Sequence, residues 1–143
     1  MRITVKLLLF PAMLFILSCS AGNKMARNQT SLINRAWIAI EIKGKPLEAA
    51  DLNTLPRLEI SVDEMRYNGN DACNQYQGGI TELDDQNIRF GIAAGTRMMC
   101  MDMSIPDLFN ATLPEVKSWK VSENLLRLYD ADEQEIMVLS KAD

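Results

Sequence analysis

From Trp37 onward, apolar residues recur at every second position in short runs, and that period constrains the fold more than any other feature of the chain. Ile38, Ile40 and Ile42 share one face of a strand. Leu58, Ile60 and Val62 do the same opposite Arg57, Glu59 and Ser61. Met65 and Tyr67 alternate with Arg66 and Asn68, and Ile88, Phe90 and Ile92 with Asn87, Arg89 and Gly91. Further strand patterns fall at 116–121, 125–129 and 135–139. Turn residues separate them: Asn68-Gly69, Asp84-Asp85-Gln86, Ser122-Glu123-Asn124 and Ala131-Asp132-Glu133. Gly78-Gly79 beside a strand predicts a bulge or a close backbone approach. One helix interrupts the pattern. Ser104 stands as its cap with Asp107 three residues on, and Pro106 is tolerated in a first turn. Ile105, Leu108, Phe109, Thr112 and Leu113 then form one mainly apolar stripe, and Pro114 ends it. The expected architecture is mainly β, a small antiparallel β-barrel of seven or eight strands with one packed helix. Closure removes exposed sheet edges.

The N-terminus reads differently. Arg2 and Lys6 are basic, and Leu7 to Leu17 is an uncharged apolar run of eleven residues. A spanning helix needs about 20, so the run reads as an export signal. Ile16-Leu17-Ser18-Cys19 resembles the lipobox of bacterial lipoproteins. The resemblance implies cleavage before Cys19 and lipid on its sulfur and on its new α-amine, and several acyl chains anchor stably. Ser20, rather than Asp, follows the cysteine, which by the same resemblance favours the outer membrane of a two-membrane envelope. A plain secretory signal, with Cys19 an ordinary thiol, is the alternative. The chain therefore divides into a signal peptide at 1–18, a lipidated tether at 19–34 and a folded domain at 35–143.

Composition narrows the function. The chain carries 15 basic and 19 acidic residues and no histidine. Without Arg2 and Lys6, 13 basic residues face 19 acidic ones, a net charge of −6. That balance disfavours nucleic acid and anionic lipid headgroups as partners, which leaves membrane contact to the lipid anchor. Absence of histidine excludes a Ser-His-Asp triad and a histidine zinc site. The acidic pairs Asp63-Glu64 and Asp84-Asp85 fall at turns, where solvated carboxylates are ordinary. Met98-Met99-Cys100-Met101-Asp102-Met103 offers soft ligands of the kind that select Cu(I). Strand alternation would place Met99, Met101 and Met103 on one face and Met98 and Cys100 on the other, so core filling is the simpler use. No cofactor is expected. Cys73 and Cys100, the two cysteines left in one small exported domain, are expected to pair. Buried free thiols and redox chemistry are the alternatives.

Two segments carry a family resemblance: Tyr67-Asn68-Gly69-Asn70-Asp71-Ala72-Cys73-Asn74-Gln75-Tyr76-Gln77-Gly78, and Gly95-Thr96-Arg97-Met98-Met99-Cys100. With Trp37 before them and Phe109 to Leu113 behind, they resemble the META/HslJ family. Gly69, Cys73, Asn74 and Gly78 match its first motif, and Thr96, Met98 and Cys100 its second. Ala72 replaces the usual glycine before the cysteine, and Asp107 stands where Glu is more usual. The resemblance implies a small β-barrel with a packed helix, often exported or lipid-anchored, associated with heat shock and antibiotic tolerance and with no settled enzymatic activity. Asn74, Tyr76 and Arg97 are expected to satisfy buried backbone groups near the cysteines, with a binding role as the alternative. The expected role is that of a non-catalytic envelope lipoprotein, stress-related or protein-interacting. Alternatives are an inhibitor of an envelope or extracellular protease, using Ser31–Arg35 or Asn68–Gln75 as its surface, and a carrier of a small apolar ligand in the barrel mouth.

Overall fold

The computed structural model of the chain describes residues 29–48 and 54–142. The export signal, Cys19 and the tether up to residue 28 lie outside the described residues. In chain order the strands are β1 (Ala36–Ile42), β2 (Lys45–Pro46), β3 (Arg57–Ser61), β4 (Arg66–Asn70), β5 (Gln75–Leu83), β6 (Ile88–Phe90), β7 (Ala94–Gly95), β8 (Ser118–Ser122), β9 (Leu125–Tyr129) and β10 (Glu135–Lys141). Eight of them form one antiparallel path, β6-β5-β4-β3-β1-β10-β9-β8, with β2 added to β1 and β7 to β5. The ends of the path meet. Asn87 bridges Ser118, the Trp119 amide donates to the Gln86 carbonyl at 2.8 Å, and the Ile88 amide to that of Lys117 at 3.2 Å. This short seam nearly closes the barrel that the alternation predicts.

Local chemistry sets the hairpins. Glu123 and Asn124 both have positive φ, 53° and 64°, and join Ser122 to its register partner Leu125. A two-residue turn of that hand matches the twist of the strands it links. Asp84 closes the β5–β6 turn by accepting the amides of Gln86 and Asn87 at 2.9 and 2.7 Å. Those bonds, with the Asn87 side chain first among them, hold the Asp84 carboxyl below its ordinary range.

Several elements depart from the alternating pattern. In β1 the register shifts between Ala39 and Glu41. A bulge inverts the alternation beyond it, so Trp37 and Ala39 point into the core before the shift and Ile42 after it. Ile38 and Ile40 are therefore not core partners of Ile42. Asn68-Gly69 is not a turn but lies inside β4, paired with β3 and β5. Met65 sits in the preceding turn at φ 50°, and Ile92 lies beyond the end of β6, fully exposed. Residues 96–103 form no strand.

The helix spans Ser104–Thr112, followed by a 3-10 turn at Leu113–Glu115. Ser104 does not cap it. Met103 holds the cap position, and the Ser104 amide donates to Asp102 Oδ1 at 2.8 Å. Phe109 and Thr112 are fully buried, and the Phe109 ring lies 5.6 Å from that of Tyr76. The helix thus covers one barrel end. At the other, residues 29–33 are helical and Ile33 is fully buried, its carbonyl accepting from Trp37 Nε1 at 3.1 Å. Residues 29–34, read from the sequence as tether, therefore belong to the folded unit, and the Ser31–Arg35 stretch supplies an end plug. Between the plugs the interior is filled by Trp37, Tyr67, Leu58, Ile60, Leu126 and Met137.

Candidate functional site

The site is built on the turn between β4 and β5. Asp71 is buried, and its carboxyl group organises that turn. Oδ1 accepts the amides of Cys73 and Asn74 at 2.9 and 2.5 Å, while Oδ2 accepts the Asn110 side chain of the helix at 2.6 Å. The Asp71 amide returns to the Asn74 carbonyl at 2.9 Å. Ala72 takes a left-handed φ of 81° at the top. A β-carbon there costs about 1 kcal/mol that glycine avoids, so the turn keeps its shape despite the substitution.

Asn74 reaches across to the next segment. Its Oδ1 accepts the Met98 amide at 2.6 Å and the Thr96 hydroxyl at 2.9 Å, and its Nδ2 donates to the Met98 carbonyl at 3.2 Å. One buried side-chain amide thus replaces a backbone ladder for Met98. Thr96 adds a second attachment: its amide donates to the Gln75 carbonyl at 3.0 Å, and its Oγ1 accepts the Gln75 amide at 3.2 Å. The Cys73–Cys100 disulfide, with Cα atoms 6.1 Å apart, is the third. Residues 96–100 are therefore fastened to 73–75 at three points, yet Met98, Met99 and Met101 remain exposed. Asn74→Ala would leave the Met98 amide and carbonyl and the Thr96 hydroxyl without these partners. We expect a loss of about 2 kcal/mol in urea unfolding, together with faster hydrogen exchange at the Met98 amide.

The motif glycines serve packing. A Cβ on Gly78 would lie 2.5 Å from the Tyr67 ring, and one on Gly69 1.8 Å from the Arg57 carbonyl oxygen. That oxygen accepts the Tyr76 hydroxyl at 2.8 Å, and Gly91 accepts that of Tyr67 at 2.6 Å. The structure therefore brings Cys73, Cys100, Asn74, Thr96 and Met98 together at one barrel end and places Gly69 and Gly78 in the strands beneath. Tyr76 satisfies a backbone group as expected, whereas Arg97 is exposed. Sequence reasoning missed Asp71 and Asn110. An Asx residue two and three positions before the amides it accepts was a readable signal for Asp71. Asn110 meets its partner across 39 residues, and no local pattern announces it. Among the described residues no group of three or more Cys, Asp or Glu is arranged to hold a metal.

Residues 30–143 match the META domain family. The chain belongs to that family. Its fold recurs in three solved structures. One solution structure aligns with TM-score 0.62 at 23% identity, covering 80% of this chain and 95% of the other. A second, of a protein from Burkholderia xenovorans, gives 0.62 at 20% identity over 81% and 87%. The crystal structure of a DUF4847 family protein from Bacteroides vulgatus gives 0.57 at 12% identity over 81% and 99%. At these identities the likeness is one of fold. No curated protein matches the chain.

Beside the crosslinked turn this META domain has a recess of about 390 Å³ lined by Tyr67, Tyr76, Phe90, Ile92, Asn110 and Leu113. A larger open groove of about 880 Å³ follows the β6–β8 seam, with Asp85, Arg89, Lys120 and Glu133 in its walls. It mixes both charge signs, and no motif residue reaches it. In the recess, burial first and then the Tyr67 and Asp71 charges push the Tyr76 phenol far above its ordinary value of 10.0, and burial raises Tyr67 as well. A raised phenol stabilises the fold fully below pH 10, and that contribution fades as pH climbs towards the folded value. The unfolded chain then gives up a proton that the folded one keeps. Above pH 10 the slope for Tyr76 should approach a loss of about 1.4 kcal/mol per pH unit. Urea midpoints at pH 9, 10 and 11 would show the slope, and Tyr76→Phe should flatten it. A wild-type midpoint that stays level to pH 11 would contradict the burial of this phenol.

Proposed function

We propose that this META domain is a non-catalytic envelope lipoprotein that binds a protein partner through the crosslinked end of its barrel. The observation that carries the reading is the 96–101 segment. It exposes three methionines and is nevertheless tied down by a disulfide, the Asn74 amide and Thr96. Apolar side chains left in water on a backbone already held in place suit recognition, because the ordering cost of binding is largely met beforehand. Methionine adapts its shape to a partner better than branched side chains do. Against an enzymatic role, the chain lacks histidine and the buried polar groups of the turn are occupied with backbone and side-chain partners. A ligand carrier fits less well, since aromatic and aliphatic side chains fill the barrel interior.

A narrower reading makes the partner a protease. The disulfide favours it: a loop crosslinked at Cys100 to the neighbouring turn could occupy a cleft and resist being pulled into a cleavable extended form. The lipobox-like Ile16-Leu17-Ser18-Cys19 supports anchoring through Cys19, and Ser20 supports the outer membrane where the source has two membranes.

Two experiments test the proposal. Cys19→Ala should abolish metabolic palmitate labelling, and persistent label would remove Cys19 as the anchor. A photoreactive amino acid at Met99 should yield a discrete protein adduct in intact cells, while one at Thr81, exposed on the barrel wall, should not. Equal yields at both positions, or none at Met99, would overturn the assignment of the surface.

A further inference from the structure

Six of the nine methionines fall among the described residues, and their surroundings divide them sharply. Met98, Met99 and Met101 are 57%, 88% and 108% exposed, within four consecutive positions. Met137 is in the core at 1%, and Met103 is half-buried with its sulfur accepting the Cys100 amide at 3.4 Å. Met65 lies elsewhere, in the β3–β4 turn, at 38%. We propose that Met98, Met99 and Met101 form an oxidation site for hypohalous acids, at which the domain consumes oxidant by reversible sulfoxide formation while keeping its fold.

The chemistry follows from what the folded domain leaves accessible. Thiolates are the usual first targets of such oxidants. Cys73 and Cys100 are already joined and offer no thiol. Trp37 and Trp119 are buried. Among the described residues, exposed thioethers are then the sulfur atoms within reach. A thioether sulfur attacks the halogen of HOCl, hydroxide leaves, and water displaces chloride from the chlorosulfonium. The net change is one thioether and one HOCl giving one sulfoxide, one chloride and one proton. Sulfur loses two electrons and chlorine gains them. The reverse step takes two electrons from a dithiol, which becomes a disulfide while the oxygen leaves as water. An exposed irregular segment is also the kind of substrate that sulfoxide reductases can reach.

Retention of fold is the second half of the inference. The segment is held by the Met98 backbone, Thr96 and the disulfide. None of these uses the sulfur of Met98, Met99 or Met101. Adding a polar oxygen to a core methionine disrupts packing, but here each new oxygen faces water. The site stands independently of any protein partner.

The test uses the purified, disulfide-intact chain carrying Cys19→Ala, so that no free thiol competes, and dilute sodium hypochlorite at one to three equivalents. Peptide mass mapping should place the first oxygen additions on Met98, Met99 and Met101, with Met137 modified at least about tenfold less. The near-ultraviolet circular dichroism of the triply oxidised protein should match the untreated one, and the two epimer-specific methionine sulfoxide reductases should remove the oxygens. Uniform oxidation of the six methionines within residues 29–142, early attack on Met137, unfolding at three additions, or sulfoxides that resist both reductases would each overturn the proposal. In the Met98→Leu/Met99→Leu/Met101→Leu variant, undiminished uptake of oxidant would do the same.

Discussion

Replacing Cys73 and Cys100 together by alanine should lower the unfolding free energy by about 3.5 kcal/mol. The two cysteines are 27 positions apart, and a closed loop of that size restricts the unfolded chain by about this amount. For a small domain that is a large fraction of the total. The native barrel itself should survive, because Asn74 and Thr96 fasten the segment without the sulfur bridge. Urea unfolding of the double variant should therefore show a lower midpoint. Wild-type protein under reductant should coincide with it. A shift below about 1 kcal/mol would mean that the unfolded chain is already compact there, or that strain offsets the gain.

Gly69→Ala should be about as severe, for a different reason. The new Cβ would sit 1.8 Å from the Arg57 carbonyl oxygen and 2.9 Å from the Tyr76 hydroxyl. The first contact is with backbone, which cannot swing away as a flexible side chain can. Relief requires parting β3 from β4 at Arg57↔Asn70 and Leu58↔Gly69. The same movement removes the acceptor of the buried Tyr76 phenol. Overpacking together with a lost buried hydrogen bond puts the cost at about 3 kcal/mol or more. Thermal unfolding would reveal it. A variant within about 1 kcal/mol of wild type would show that the β3–β4 pair yields more readily than its geometry indicates.

These two sites illustrate what the sequence discloses and what it hides. Cys73, Cys100, Asn74 and Gly69 stand out because few residue types can do their work, so a short motif marks them. Period two announces β3 because one face of that strand is apolar and the other polar, whereas β5 goes unannounced because Gly78 interrupts the face that carries Tyr76 and Ile80. It misleads in β1, where the bulge between Ala39 and Glu41 trades Ile38 and Ile40 for Trp37 and Ala39. A bulge is chosen by three-dimensional closure and leaves no local mark when both faces are apolar. Ile33 is hidden for a related reason: a single buried residue in a polar run has no period. The 96–103 segment is the most instructive case. Strand alternation applied to Met98–Met103 would sort its methionines onto two faces, but β7 ends at Gly95, and Asn74 supplies the hydrogen bonds that a neighbouring strand would have given to Met98. The core-filling role expected for these methionines fails with the strand, since Met98, Met99 and Met101 are exposed.

A preformed binding surface requires the segment from Thr96 to Cys100 to be held in place before any partner arrives. Backbone order parameters from nitrogen-15 relaxation, measured on the disulfide-intact protein, test this most directly. Values at Met98 and Met99 should be near those of the barrel strands, about 0.85. Values below about 0.6 there, beside rigid strands, would contradict the claim that Asn74, Thr96 and the disulfide present a preformed surface.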